Sequence, residues 1–226
     1  MTGMLASVNS LEEAEQVLAE DVDIIDLKEP SRGALGGLDI ALVKIIVQAV
    51  NGRCPVSATI GDLPMQPELV FNAVKAMAET GVNYVKIGLF PSGNQKQVIE
   101  KLAEISSGIK LIAVLFADMP LDFKLIALLK EAGFSGVMLD TANKANGSLT
   151  QIMAKTEIEV FVSQAKALRL LCGLAGSLRL ADIPLLASYY PDYLGFRGAL
   201  CLQQDRVGGL NRQAVQTIKN VIIELS

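Results

Sequence analysis

The chain contains no histidine and no tryptophan, has three cysteines among 226 residues, and carries charge on only 19% of its positions against 51% hydrophobic. Without imidazole, proton transfer falls to lysine, carboxylate, tyrosine or cysteine, and metal-dependent chemistry is left with carboxylates alone as ligands. Cys54, Cys172 and Cys201 are scattered, odd in number and lack C-x-x-C spacing. Neither a disulfide framework nor a zinc site is expected, and small core packing is their role. A long Lys/Arg run is also missing, and the formal net charge is −4. That balance argues against a nucleic-acid footprint or a membrane-surface patch. No apolar run approaches the roughly 18 residues of a spanning helix, and the opening MTGMLASVNSLEEAE turns acidic before a signal-peptide core could form. A cytoplasmic protein with no membrane partner is expected.

What is present is an alternation of short β-rich runs with amphipathic stretches, unbroken by linkers or low-complexity segments. Strands are predicted at 4–9, 23–28, 55–61, 84–90, 110–118, 136–141, 168–176 and 193–201. Helices are predicted at 10–20, 39–50, 67–80, 94–106, 122–132, 148–167, 178–189 and 211–225. Ser10 and Asp122 supply N-terminal caps, Pro67 occupies a first helical position, and Gly81 and Gly133 mark C-terminal stops. Eight βα units in one domain, residues 1–226, are what a (β/α)8 TIM barrel requires. A doubly wound open sheet is the runner-up, but no G-x-G-x-x-G or Walker A sequence follows the first strand.

In such a barrel one face of each strand meets the helices and must be apolar, which assigns the other face to the interior. Asp26 and Lys28 in DIIDLK, Lys86 in YVKIGLF, and Met138 and Asp140 in GVMLDT therefore point inward. Strands two, four and six share parity, so Lys28, Lys86 and Asp140 are expected at one level. Ser7, Asn9, Ser57 and Thr59 are expected as polar lining, with Asp118 at the rim. A lysine written into an apolar strand is drawn toward neutrality by burial and by a second cation, so Lys28 and Lys86 are candidate amine nucleophiles that activate each other. Asp26 and Asp140 are candidate proton carriers, and Lys144 in the following DTANKANG loop stands near the mouth. The competing reading makes Lys28–Asp26 and Lys86–Asp140 plain interior ion pairs.

Three glycine-bearing loops could hold a phosphate. Gly176 and Ser177 after the seventh strand, and Arg197 and Gly198 after the eighth, lie where barrels often bind one. Ser31, Arg32 and Gly33 form a separate candidate hold after the second strand.

Taken together, DIIDLKEPSRGALGG, YVKIGL, MLDTANK and FRGALC resemble the (5-formylfuran-3-yl)methyl phosphate synthase family over essentially the whole chain. The resemblance implies a TIM-barrel lyase that condenses two glyceraldehyde 3-phosphate molecules, with loss of phosphate and water, into a phosphorylated furan aldehyde. That product is an early precursor of methanofuran-type one-carbon carriers. The resemblance further implies that Lys28 forms a Schiff base and Lys86 accepts a proton, with Asp26, Asp140 and Lys144 also needed for activity. No cofactor or metal is called for, and the partner is a small triose phosphate. A homo-oligomer is compatible with the apolar composition. Two alternatives remain at this level: another class-I aldolase or dehydratase acting on a sugar phosphate, and a non-catalytic barrel that binds a phosphorylated metabolite.

Overall fold

The computed structural model describes residues 1–91 and 94–225. Eight parallel strands close in sequence order into a barrel: β1 (Gly3–Val8), β2 (Ile24–Leu27), β3 (Val56–Thr59), β4 (Tyr84–Gly88), β5 (Leu111–Phe116), β6 (Gly136–Asp140), β7 (Leu171–Leu174) and β8 (Tyr193–Phe196). Around it, among the described residues, run α1 (Leu11–Leu18), α2 (Ile40–Val50), α3 (Pro67–Ala78), α4 (Gln95–Leu102), α5 (Lys124–Glu131), α6 (Leu149–Ile152), α7 (Lys155–Ala167), α8 (Ile183–Ala187) and α9 (Arg212–Glu224). The architecture is the (β/α)8 barrel that the alternation of units requires.

Local chemistry explains the boundaries. The Ser10 hydroxyl caps α1 by accepting from the Glu13 amide, and the Glu13 carboxylate accepts from the Asn9 amide just before the cap. Asp122 accepts from the Lys124 amide, Pro67 opens α3, and Gly81 and Gly133 adopt left-handed φ of 89° and 80° just past α3 and α5. The helix expected at 148–167 is broken. Met153 and Ala154 are extended, with ψ near 139° and 142°, and the Glu157 carboxylate takes the Ala154 amide to start α7 afresh. No glycine or proline marks that corner, so apolar periodicity runs through it. The last two strands are also shorter than their apolar runs. Arg169 turns left-handed (φ 53°) before β7, and after β8 the chain leaves the sheet at Arg197 for a turn over Gly198–Leu200.

The core has two compartments, as two-faced burial demands. Between strands and helices lie Ile25, Leu27, Val85, Ile87, Val137 and Leu139 from the strands, meeting helix residues such as Val43, Ile46 and Val50 of α2 at helical spacing. Inside the barrel lie Leu5, Ile112, Val114, Met138 and Tyr193. All three cysteines are free and buried, and burial pushes the Cys172 thiol up to about 12, which leaves it inert packing.

Strand register sets height inside the barrel. With the stagger of one residue per strand usual for this architecture, Asp26, Lys86, Met138 and Gly195 share one layer. Ser7, Thr59, Val114 and Ala175 form the next, and Lys28, Gly88, Asp140 and Arg197 form the layer above it. Lys28 and Asp140 thus share a level, but Lys86 lies deeper, contrary to the single level expected from parity. Parity assigns a face, and only register assigns a height.

Candidate active site

At the C-terminal end of the strands a cavity of about 200 Å³ opens to solvent. Lys28, Lys86, Asp26, Asp140 and Lys144 all line it, as do Gly176, Ser177, Arg197 and Gly198. Ser7 lines it too, whereas Ser57 lies below it and Asn9, Thr59, Ser31, Arg32 and Gly33 lie outside its wall.

The lower layer is a closed network. Lys86 Nζ donates to both oxygens of Asp26 at 3.0 Å, Ser7 Oγ donates to Oδ2 at 3.0 Å, and Ser57 Oγ donates to Oδ1 at 2.6 Å. Burial alone would raise the Asp26 carboxyl, but Lys86, Lys28 and the Ser57 hydroxyl together hold it below the usual carboxylate range. The actual pair is therefore Lys86–Asp26, not the Lys28–Asp26 and Lys86–Asp140 pairs of the ion-pair reading.

The upper layer is open. Asp140 accepts from the Thr141 amide at 2.7 Å and from Lys144 Nζ, its ion-pair partner. Burial pushes Asp140 up, and Lys144 and Lys28 more than offset that push and leave it lowered. Lys28 Nζ has no hydrogen-bond or ion-pair partner among the described residues, although the residue is only 6% exposed. Desolvation is the largest influence on it and carries its pKa down to about 8, reinforced by Lys144 and Lys86 and resisted by Asp140 and Asp26. Mutual activation of the two lysines is thus a minor effect; Lys86 is ion-paired with its own carboxylate.

Other residues hold Lys144 in place. Asp118, at the end of the β5 run, accepts from the Ala142 and Asn143 amides at 2.7 Å each, and the Asn143 side chain caps the turn Lys144–Asn146 at Ala145. The Ser177 hydroxyl donates to the Lys144 carbonyl at 3.3 Å, tying the β6 and β7 loops together.

Of the three candidate phosphate loops, the β7 and β8 loops present backbone donors to the cavity. Among the described residues, the backbone N–H groups of Gly176, Ser177, Gly198 and Ala199 have no acceptor in the protein. Gly176 has φ 107°, and a Cβ there would sit 2.8 Å from the Thr141 methyl, so glycine is required. The β2 loop is different. Its Ser31 amide and hydroxyl are taken by Glu29, its Ala34 and Leu35 amides by Asp62, and Arg32 is exposed. Two carboxylates already occupy what an anion would need.

Arg197 also departs from expectation. Its five N–H donors are all engaged: Nε with the Arg206 carbonyl (2.8 Å), Nη1 with the Ser7 carbonyl (3.2 Å) and Glu13 Oε2 (2.5 Å), and Nη2 with Glu13 Oε1 (3.2 Å) and the Gly208 carbonyl (3.0 Å). A saturated guanidinium serves the fold. Sequence reading missed Arg206, Arg179 and Gln204, which also line the mouth, because all three lie in or beside 3₁₀ turns and loops without periodicity.

The profile of the 4-HFC-P synthase family matches residues 4–219. A (5-formylfuran-3-yl)methyl phosphate synthase of Methanocaldococcus jannaschii is 33% identical over 233 residues, covering 96% of this chain and 98% of that one. The Methanosarcina mazei enzyme of the same name is 33% identical, with 95% and 96% covered. A provisionally named Methylorubrum extorquens protein of that description reaches 40%, with 96% and 91% covered. Phosphoribosyl anthranilate isomerase from Thermotoga maritima superposes with a TM-score of 0.73 over 99% of this chain and 100% of that one, at 13% identity, which is a likeness of fold alone.

Proposed function

The chain belongs to the 4-HFC-P synthase family, and on that premise we propose that it joins two molecules of glyceraldehyde 3-phosphate through an imine on Lys28. The product is (5-formylfuran-3-yl)methyl phosphate, released with one phosphate and two waters, at an early step of methanofuran-type cofactor synthesis in the cytoplasm. The single observation that carries the mechanism is the free, desolvated Lys28 amine facing the cavity beside two lysines that are each paired with a carboxylate.

An amine with a pKa near 8 is neutral in part at physiological pH and attacks the triose aldehyde. Lys86 enters the cycle as the ammonium of an ion pair and protonates the departing carbinolamine hydroxyl. The same nitrogen, now neutral, then accepts the proton from the carbon next to the imine. Asp26, held by two serine hydroxyls, orients Lys86 throughout. The enamine carbon bonds to the second triose, and the Asp140–Lys144 pair, on the level of Lys28, exchanges protons during phosphate loss, dehydration and the final hydrolysis of the imine, which releases the product aldehyde and returns the Lys28 amine. The amides of Gly176, Ser177, Gly198 and Ala199 hold a substrate phosphate. No metal or cofactor is required for these steps.

Borohydride trapping with glyceraldehyde 3-phosphate, followed by peptide mass analysis and assay for the furan aldehyde, tests the reading. A reduced adduct on Lys28 together with the furan is expected. An adduct without furan assigns the site to another Schiff-base aldolase, and no adduct on Lys28 sinks the mechanism.

A further inference from the structure

Two phosphorylated substrates bring two phosphates, and the amides after β7 and β8 form one cradle. Arg206 carries the features of a second hold. It lines the cavity and is half-buried. Only one of its donors is spoken for: Nη2 bonds the Gly33 carbonyl at 3.0 Å, across the mouth, and Nε and Nη1 have no partner among the described residues. The carboxylates that act on it, Asp140, Asp62 and Glu29, are committed elsewhere: Asp140 to Lys144, Asp62 to the Ala34 and Leu35 amides, and Glu29 to Ser31. A guanidinium stripped of water on one side and lacking a carboxylate of its own is suited to a fork-shaped contact with an oxyanion.

The surroundings fix where that fork lies. The saturated Arg197 grips the carbonyls of Arg206 and Gly208, so the β8 loop is strapped to the buried Glu13 and cannot swing freely. The Gly33 carbonyl, in the loop directly after Lys28, seats the tip. Gly33 has φ 116°, and a Cβ there would lie 2.0 Å from an Asp62 oxygen, so the carbonyl is presented by a backbone only glycine adopts.

We propose that Arg206 is a second phosphate-binding residue, gripping the phosphate of one triose on the β2 side of the mouth while the β7 and β8 amides hold the other. The β2 loop contributes its carbonyl, not its own Ser31, Arg32 or amides. This rests on the reading of both substrates as phosphorylated.

The test compares wild type with Arg206→Gln and Arg206→Lys, using borohydride-trapping rates for glyceraldehyde 3-phosphate and for unphosphorylated glyceraldehyde. In Arg206→Gln the preference for the phosphorylated aldehyde over glyceraldehyde is expected to fall about ten- to hundredfold, and Arg206→Lys to restore part of it. Equal loss for both aldehydes would mean that Arg206 only braces the loop, and no loss would mean that it binds nothing; either overturns the proposal. A thermal-shift titration with inorganic phosphate reads the site without chemistry. Weaker stabilisation of Arg206→Gln supports the proposal, and superimposable curves overturn it. Failure of the wild type to trap any aldehyde would refute the proposed reaction, and the phosphate titration would still decide the role of Arg206.

Discussion

Lys28 and Lys86 are both buried lysines pointing into one barrel, on strands two apart, yet their environments differ in kind. Lys86 is locked to both oxygens of a carboxylate that two hydroxyls also hold. Lys28 is also buried, though slightly less, and has no partner within bonding reach among the described residues. Burial alone does not make a lysine reactive; burial without a dedicated counter-charge does. The lower layer spends its polar groups on one another, and the upper layer leaves one amine unpaired among the described residues.

Lys28→Met breaks the comparison most severely. It is expected to abolish trapping and furan formation, with activity down by 10⁴-fold or more in a steady-state assay. The same change removes a buried charge whose shift from 10.5 to about 8 corresponds to about 3 kcal/mol, so the variant should be more stable by about 1–3 kcal/mol at pH 7 in denaturant titration. The sign follows from linkage. A lysine with a depressed folded pKa penalises folding fully below about pH 8, and the penalty is relieved as pH rises toward 10.5. The stability gap between Lys28→Met and wild type should therefore close across that window; a gap that stays constant would show that Lys28 is not desolvated.

Asp26→Asn converts the closed layer into an open one by leaving Lys86 without its charge partner. A loss of about 3–5 kcal/mol is expected, measured by urea unfolding, and the double variant Asp26→Asn/Lys86→Met should recover most of it. If the single variant is as stable as wild type, the pair is not the brace inferred here. The smallest effect sharpens the upper layer. Trapping rate in wild type should rise with a midpoint near pH 8. Lys144→Met removes a repelling charge and should move the midpoint up, and Asp140→Asn removes an attracting one and should move it down, each by a fraction of a unit to about one unit. Midpoints that do not move, or that move the other way, would break the assignment of these neighbours.

Much of this was legible in the sequence for definite reasons. Alternation in DIIDLK and GVMLDT assigns Asp26, Lys28, Met138 and Asp140 to the interior because the outward positions had to be apolar. The loop positions of Gly176 and Gly198 follow from the fold. The pairing of Lys86 with Asp26 was not legible, since it depends on register and not on parity. Arg197 misled because it stands at the end of a strand in a glycine-bearing loop, and its partner Glu13 lies 184 residues earlier. Arg206 was hidden for the opposite reason: nothing periodic surrounds it. The break at Met153 escaped because an acid three residues into a new helix can start it without glycine or proline.

The Arg197–Glu13 pair also orders events in time. Glu13 leaves the ribosome 184 residues ahead of the arginine that will neutralise it, and it can only be buried once the eighth strand docks beside the first. The lysines and carboxylates of the middle strands are made long before that moment. The mouth, with its strap, its amide cradle and Arg206, therefore needs both ends of the strand order in place. Until that seam forms, the Lys28 amine has no finished chamber around it.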